Sequence, residues 1–207
     1  LVVDIVDPDR RGRVRISLQW TEDHVSFEAW APIATLAAGD TWGTWFVPDV
    51  DEEVLVLFEG GDQTRPYVVG SLWAQGQIGP EQMDTTGRNY HRTIRSRRGL
   101  RVRFDDTDGE ETLTLDTSRH QRIVLSDADD SIEIDAGGGS KVRLDQSGIT
   151  IYASANVTVD ASTMEITAGM LTVNAGMSKF SGVVQADTVI TNLIVSSSCT
   201  PGAGNIW

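Results

Sequence analysis

The side chains with the most evident chemistry in this chain are arginines and carboxylates, and they crowd into one stretch. Seven arginines and His91 fall between Arg88 and Arg103, and Asp105, Asp106, Asp108, Glu110 and Glu111 follow at once. Such an arginine cluster can serve as a polyanion patch, but arginine also suits carboxylate pairs between chains. A net charge of −13 opposes general attraction to nucleic acid or anionic membrane. The stretch is therefore read as a neck whose arginines pair with the acids downstream. Asp105-Asp106-Thr107-Asp108-Gly109 falls short of a calcium loop, because an EF-hand needs an oxygen ligand five residues before its glycine and Phe104 stands there. It reads as a turn. Gly137-Gly138-Gly139 followed by Asp145 likewise lacks the nonapeptide calcium repeat.

No catalytic set emerges. His24, His91 and His120 are far apart in sequence, and neither Gly-x-Ser-x-Gly nor a P-loop occurs. A carboxylate pair for glycoside cleavage is not excluded by counting, yet Tyr152 and Phe180 are the only aromatics between Asp105 and Ile206 to serve as sugar platforms. The single cysteine, Cys199, rules out an intrachain disulfide and a cysteine-based zinc cluster within one chain. No cofactor or metal is implied, and the chain is not expected to be an enzyme.

The elements that must position these groups are repeats. Two apolar residues flank one polar residue, and a small-residue turn follows. The copies are Val102-Arg103-Phe104, Leu113-Thr114-Leu115, Ile123-Val124-Leu125, Ile132-Glu133-Ile134, Val142-Arg143-Leu144, Ile149-Thr150-Ile151, Val157-Thr158-Val159, Met164-Glu165-Ile166 and Leu171-Thr172-Val173. They begin 7 to 11 residues apart, settling at 7 or 8 beyond Val142. Strict alternation is the strand period, and strand plus turn at a fixed interval signals a stacked β architecture. Each copy buries too little alone, so copies must stack. One chain coiled as a three-faced prism would give roughly 15–20 Å of rod, whereas three chains about one axis would give roughly 50 Å. Both remain open from the repeats alone.

Charge thins along this stretch. Eighteen charged residues lie in 101–150 and four in 151–207, namely Asp160, Glu165, Lys179 and Asp187. Low-charge β sequence courts aggregation unless its strand edges are occupied, as they are in a closed coil. A rod that sheds charge and bulk toward one end suits passage through something. No apolar run approaches the length of a transmembrane helix. The chain begins at Leu1 without methionine or a signal-peptide pattern, as a fragment of a longer protein would.

The first 75 residues differ in kind. Gly12 to Trp20 alternates with Val14, Ile16, Leu18 and Trp20 on one face, and Phe27 to Ile33 alternates again. Asp40 to Pro48 reads as an aromatic strand, Glu53 to Phe58 as a strand buried on both faces, and Arg65 to Trp73 as the last strand. Five or six strands with no helical pattern predict a small Greek-key barrel of OB type.

These residues also carry a resemblance. Gly12-Arg13-Val14, Trp30-Ala31-Pro32-Ile33-Ala34, Trp42-Gly43, Phe46-Val47-Pro48, Glu53-Val54-Leu55-Val56 with Phe58, Gly61-Asp62, and Arg65-Pro66-Tyr67-Val68-Val69-Gly70-Ser71-Leu72-Trp73 fall in one order. That order is similar to the OB domain of the contractile-tail spike family: phage baseplate assembly protein V, valine-glycine repeat (VgrG) proteins and spikes of extracellular contractile injection systems. Gly99 to Thr114 and the repeats after it resemble the β-helical part of the same spikes. Asp51-Glu52-Glu53 departs from the glycine-aspartate pair that members often carry before the buried strand. The repeats also lack a strict valine-x-glycine period, which favours a phage-like or extracellular-injection spike over a type VI VgrG.

The resemblance implies an all-β chain: an OB-fold collar at 1–75, a linker and neck at 76–98, an interwound trimeric β-helix spike at 99–198 and a tip-docking tail at 199–207. It implies a homotrimeric spike on a baseplate hub, assembled in the cytoplasm as part of a phage tail-like particle, and meeting the target membrane only transiently. Some members carry a lysozyme domain between barrel and helix, but about fifteen linker residues cannot hold one. Some end in a histidine-x-histidine iron tip, and no such pair occurs here. The other arrangement is a blunt end capped by a separate PAAR-repeat tip protein, with Asn205, Ile206 and Trp207 as docking residues. Three Cys199 thiols could then converge near the axis. Two other classes stand as alternatives. An OB-fold gripping single-stranded nucleic acid would use Trp20, Trp30, Trp42 and Trp45 with nearby basic residues. A β-solenoid depolymerase would show a cleft with paired carboxylates.

Overall fold

The computed structural model describes residues 1–19, 26–83, 85–193 and 195. Among them are fourteen strands and a single 3-10 turn at Glu59–Gly61, so the chain is all-β. The first three strands, β1 (Val2–Asp4), β2 (Arg13–Gln19) and β3 (Ser26–Pro32), form an antiparallel sheet in sequence order. The alternation in β2 puts Val14 and Ile16 on the inner face, where they are fully buried with Val2, Ala31 and Val68. Trp20, expected on that face, lies outside the described residues.

A hairpin of β6 (Glu53–Phe58) and β7 (Pro66–Leu72) closes against this sheet on both sides. On one side the Val2 amide donates to the Glu52 carbonyl at 3.0 Å, and the Asp51 amide to the Val2 carbonyl at 2.9 Å. On the other, Ile33 bridges Val68 in parallel and the Ala34 amide donates to the Val68 carbonyl at 2.7 Å. The result is a small closed barrel of OB type around a core of five buried side chains.

Two strand expectations change. Asp40 to Pro48 is not one strand. A two-residue hairpin of β4 (Ala38–Gly39) and β5 (Trp42–Gly43) gives way to a loop. Gly43 has φ +140°, and a Cβ there would collide with the Ala37 carbonyl, so the backbone turns where only glycine fits. Glu53 to Phe58 is not buried on both faces, for Leu55 and Leu57 are exposed while Val54 and Val56 face the core. Among the described residues no layer covers the outside of this hairpin.

Asp7 shapes the loop between β1 and β2. Its carboxylate accepts from the Arg13 guanidinium at 2.8 and 3.1 Å and from the amides of Asp9, Arg11 and Arg13 at 3.1, 2.8 and 3.2 Å. The guanidinium holds this carboxyl well below the usual carboxylate range, and the amides add to the effect against the opposing cost of burial.

Seven further strands make one antiparallel meander in sequence order. They are β8 (His91–Arg95), β9 (Arg101–Asp105), β10 (Thr112–Asp116), β11 (Arg122–Ser126), β12 (Ser131–Asp135), β13 (Lys141–Asp145) and β14 (Gly148–Tyr152). The first six repeats therefore pair with their own neighbours in the same chain, where pairing with sister chains was expected. The reason lies in the turns. Gly99, Gly109, His120, Asp130, Gly137, Gly139 and Gly148 all take positive φ at or beside a strand reversal, the conformation that lets an antiparallel chain double back.

From Thr158 onward the chain is a separate unit. Among the described residues none beyond Gly148 has positive φ, and none beyond Tyr152 pairs as a strand. Every described side chain from 158 on is exposed.

Two predictions follow from the barrel. Ile16→Ala should cost about 2–5 kcal/mol in chemical denaturation followed by tryptophan fluorescence; a loss within about 0.5 kcal/mol, typical of surface sites, would misplace the core. Asp7→Asn should lower the barrel's melting temperature at neutral pH. Because the folded carboxyl titrates below the ordinary value of about 3.9, its contribution is complete above that value and shrinks as pH falls further. The gap between variant and parent should therefore narrow below pH ~4, and a gap independent of pH would contradict this role.

Candidate assembly interface

The meander sorts its side chains by face. Register places Ile94, Val102, Leu115, Ile123, Ile134, Val142 and Ile151 opposite one another across all seven strands. Two residues along, Arg92, Phe104, Leu113, Leu125, Ile132, Leu144 and Ile149 form a second ladder on the same face, apolar from Phe104 down. Strand side chains alternate faces, so these two ladders make one continuous apolar surface. Part of it is a trough of ≈ 980 Å³ that includes Leu115, Ile134 and Ile151.

That surface faces outward. Ile134 is 45 % exposed and Ile149 is 69 % exposed, whereas Thr114 on the opposite face is only 4 % exposed. In β12 the pattern is plain, with Ile132 and Ile134 exposed and Ser131, Glu133 and Asp135 half-buried. A monomeric soluble protein rarely leaves a contiguous apolar patch of this extent uncovered.

The opposite face carries charge in pairs. Arg101 meets Asp116 at 2.7 Å across β9 and β10. Arg143 meets Asp145 at 2.8 Å and Glu133 at 3.7 Å, and Lys141 also reaches Glu133 at 3.7 Å. The Asp145 carboxyl is lowered to about 2, first by the Ser147 hydroxyl and then by Arg143. These carboxylates answer arginines. Among the described residues no three His, Cys, Asp or Glu side chains are grouped to hold a metal ion.

The neck pairs mostly as read. Arg92 bonds Asp106, His91 Nε2 lies 3.2 Å from Asp105, and Arg103 reaches Asp105 at 3.2 Å. Asp105 also accepts from the Thr107 amide and hydroxyl at 3.1 and 2.6 Å, which makes Asp105 to Gly109 a turn. Two partners were not legible in sequence. Arg97 bonds Asp49 from the barrel, and Glu81 accepts from the Thr93 hydroxyl at 2.6 Å and sits 3.8 Å from Arg103. Both join residues far apart along the chain, and no spacing rule signals them.

On the barrel, Arg13 and Arg15 flank the Trp30 ring at 5.9 and 6.0 Å. Arg13 is held by Asp7 and Asp9, and Arg15 lies against Asp4 and Glu28. Their charge is committed to carboxylates rather than offered to phosphates. Asn205, Ile206, Trp207 and Cys199 lie outside the described residues.

Comparison with known proteins matches both halves. Residues 1–73 match the type VI secretion system/phage-baseplate injector OB domain, and residues 112–177 match the phage baseplate V C-terminal trimerisation domain. Curated relatives include three type VI secretion system spike proteins of Pseudomonas aeruginosa. VgrG1a is 28 % identical over 134 residues, which is 60 % of this chain and 21 % of that protein. VgrG1c is 28 % identical over 56 % of this chain and 17 % of that protein, and VgrG4b is 28 % identical over 61 % and 16 %. The chain thus spans about a fifth of the length of the curated relatives it matches. An OB barrel, then a sheet with one bare apolar face, and two family domains falling in that order lead to one assignment: the chain belongs to the VgrG-like and baseplate-V-like spike family.

Proposed function

We propose that the chain is the structural central spike of a contractile injection apparatus, acting as a homotrimer and without catalysis of its own. The observation that carries this reading is the apolar face of the seven-stranded meander, exposed in the single chain while the charged face is paired. Three such sheets turned inward close a three-sided prism whose core is the two apolar ladders. Two copies facing each other would cover these ladders as well, and it is the match of residues 112–177 to a trimerisation domain that favours three.

The division of labour follows. Residues 1–75 form the collar, 76–98 the neck, 99–198 the spike and 199–207 the tail. Seven strands at about 4.8 Å give each face roughly 30 Å of rod, and the alternating segments beyond Tyr152, which form no strand among the described residues, extend it by pairing with sister chains. Backbone ladders and cross-strand ion pairs hold the rod straight while sheath contraction supplies the work of piercing the target envelope. A PAAR-repeat tip protein docks on Asn205, Ile206 and Trp207 and carries the sharp end, and a hub joins the collar to the baseplate. The particle assembles in the cytoplasm.

The interface variant Ile134→Asp should abolish the trimer in light scattering coupled to gel filtration, since it places three charges in a closed apolar core. Thr150→Asp, on the opposite face of the sheet, should leave the trimer intact. Equal behaviour of the two variants would refute the inward-facing arrangement. Replacing Ile206 and Trp207 together by serine should leave the trimer unchanged and abolish capture of the cognate tip protein; retained capture would move the docking site elsewhere.

A further inference from the structure

The barrel sends one side chain to the apolar face. Phe46, in the loop after β5, lines the same trough as Ile94, Leu100 and Val102 at the barrel end of the meander, and it is 72 % exposed. The loop is aimed from several sides. Gly43 turns the backbone at φ +140°, the Thr44 amide donates to the Ala37 carbonyl at 3.0 Å, and the Thr35 hydroxyl donates to the Thr44 carbonyl at 2.8 Å. Its far end is tied to the neck by the Asp49–Arg97 ion pair. An aromatic ring held out in this way from two anchored ends is not a side chain left over from the barrel core.

We propose that Phe46 is the plug of the trimer core: the loop at 44–50 of each copy closes the barrel end of the prism, and each Phe46 ring packs against sister copies at the level of Ile94 and Leu100. The occupant of this patch is thus a second and a third copy of the same chain. This rests on the inward-facing trimer proposed above, with which the patch is continuous, since Phe46 and the Val102–Leu115–Ile134 ladder line a single trough. The chemistry requires such a closure. Three sheets leave an apolar channel open at the top, where β8 contributes Arg92 alongside Ile94. A ring there excludes water from the first layer, and the arginine remains at the rim. The collar and the needle then unfold as one cooperative body rather than as two domains on a tether.

The test uses the full chain with Cys199→Ser as background and a single thiol at Phe46→Cys, compared with Asp40→Cys, an exposed site in the neighbouring hairpin. Light scattering gives the number of chains, and the rate of maleimide labelling gives access. Three chains with labelling at Phe46→Cys slowed at least roughly tenfold relative to Asp40→Cys support the proposal. Three chains with equal rates overturn the plug and leave the trimer standing. A single chain overturns the trimer, and the plug with it. Hydroxyl-radical footprinting of the unmodified chain gives the same reading without a substitution: Phe46 protected in the assembled species supports the plug, and Phe46 oxidised as fast as Leu36 overturns it.

Discussion

A sheet with one side apolar in all but a single residue, Arg92 at its upper corner, does not stay uncovered in water. Thirteen Ile, Leu, Val and Phe side chains line one face of the His91–Tyr152 meander in two unbroken ladders. Each gains about 1.5–3 kcal/mol when removed fully from solvent, and they act together because the strands that carry them are hydrogen-bonded into one sheet. Nothing else in the described chain is large enough to cover them. The barrel spends its buried residues on its own small core of Val2, Val14, Ile16, Ala31 and Val68. On the proposed reading the cover comes from further copies of the chain, which supply surfaces of the same shape and polarity.

Other features become intelligible from that constraint. The charged face is the solvent side of the rod, so its arginines and carboxylates pair along and across strands instead of meeting at an interface. The neck arginines meet their acids within the chain, Arg92 at Asp106 and Arg103 at Asp105, and Arg101 and Arg143 likewise find partners along their own sheet. Backbone pairing is also divided. It is internal to the chain down to Tyr152, and beyond that no strand forms among the described residues. On the proposed reading each chain builds its own face of the upper prism before meeting its copies, and the lower part is built by all three together.

The repeat and its period were legible because alternation in so few residues has one meaning, and Ile132-Glu133-Ile134 names its two faces outright. What alternation does not say is which neighbour a strand pairs with. Gly109, Gly137 and Gly148 were visible turn residues, but His120 and Asp130 also take positive φ, a conformation their types favour only weakly beside glycine. The inversion of burial was equally hidden. Sequence identifies an apolar face, and only the fold shows that nothing among the described residues lies against it. In the barrel, Val14 and Ile16 were placed correctly by period, whereas Glu53 to Phe58 misled because an apolar run reads as doubly buried even where one side lies exposed. Phe46 could not have been singled out, since its role depends on a loop that Gly43 and the Arg97–Asp49 contact direct toward residues about fifty positions away.

The central claim is that the apolar face is closed by two further copies of the same molecule, and native mass spectrometry of the unmodified chain addresses it most directly. The account predicts a dominant species at three times the 22.5 kDa chain mass, persisting on dilution. A dominant species at one chain mass would contradict it.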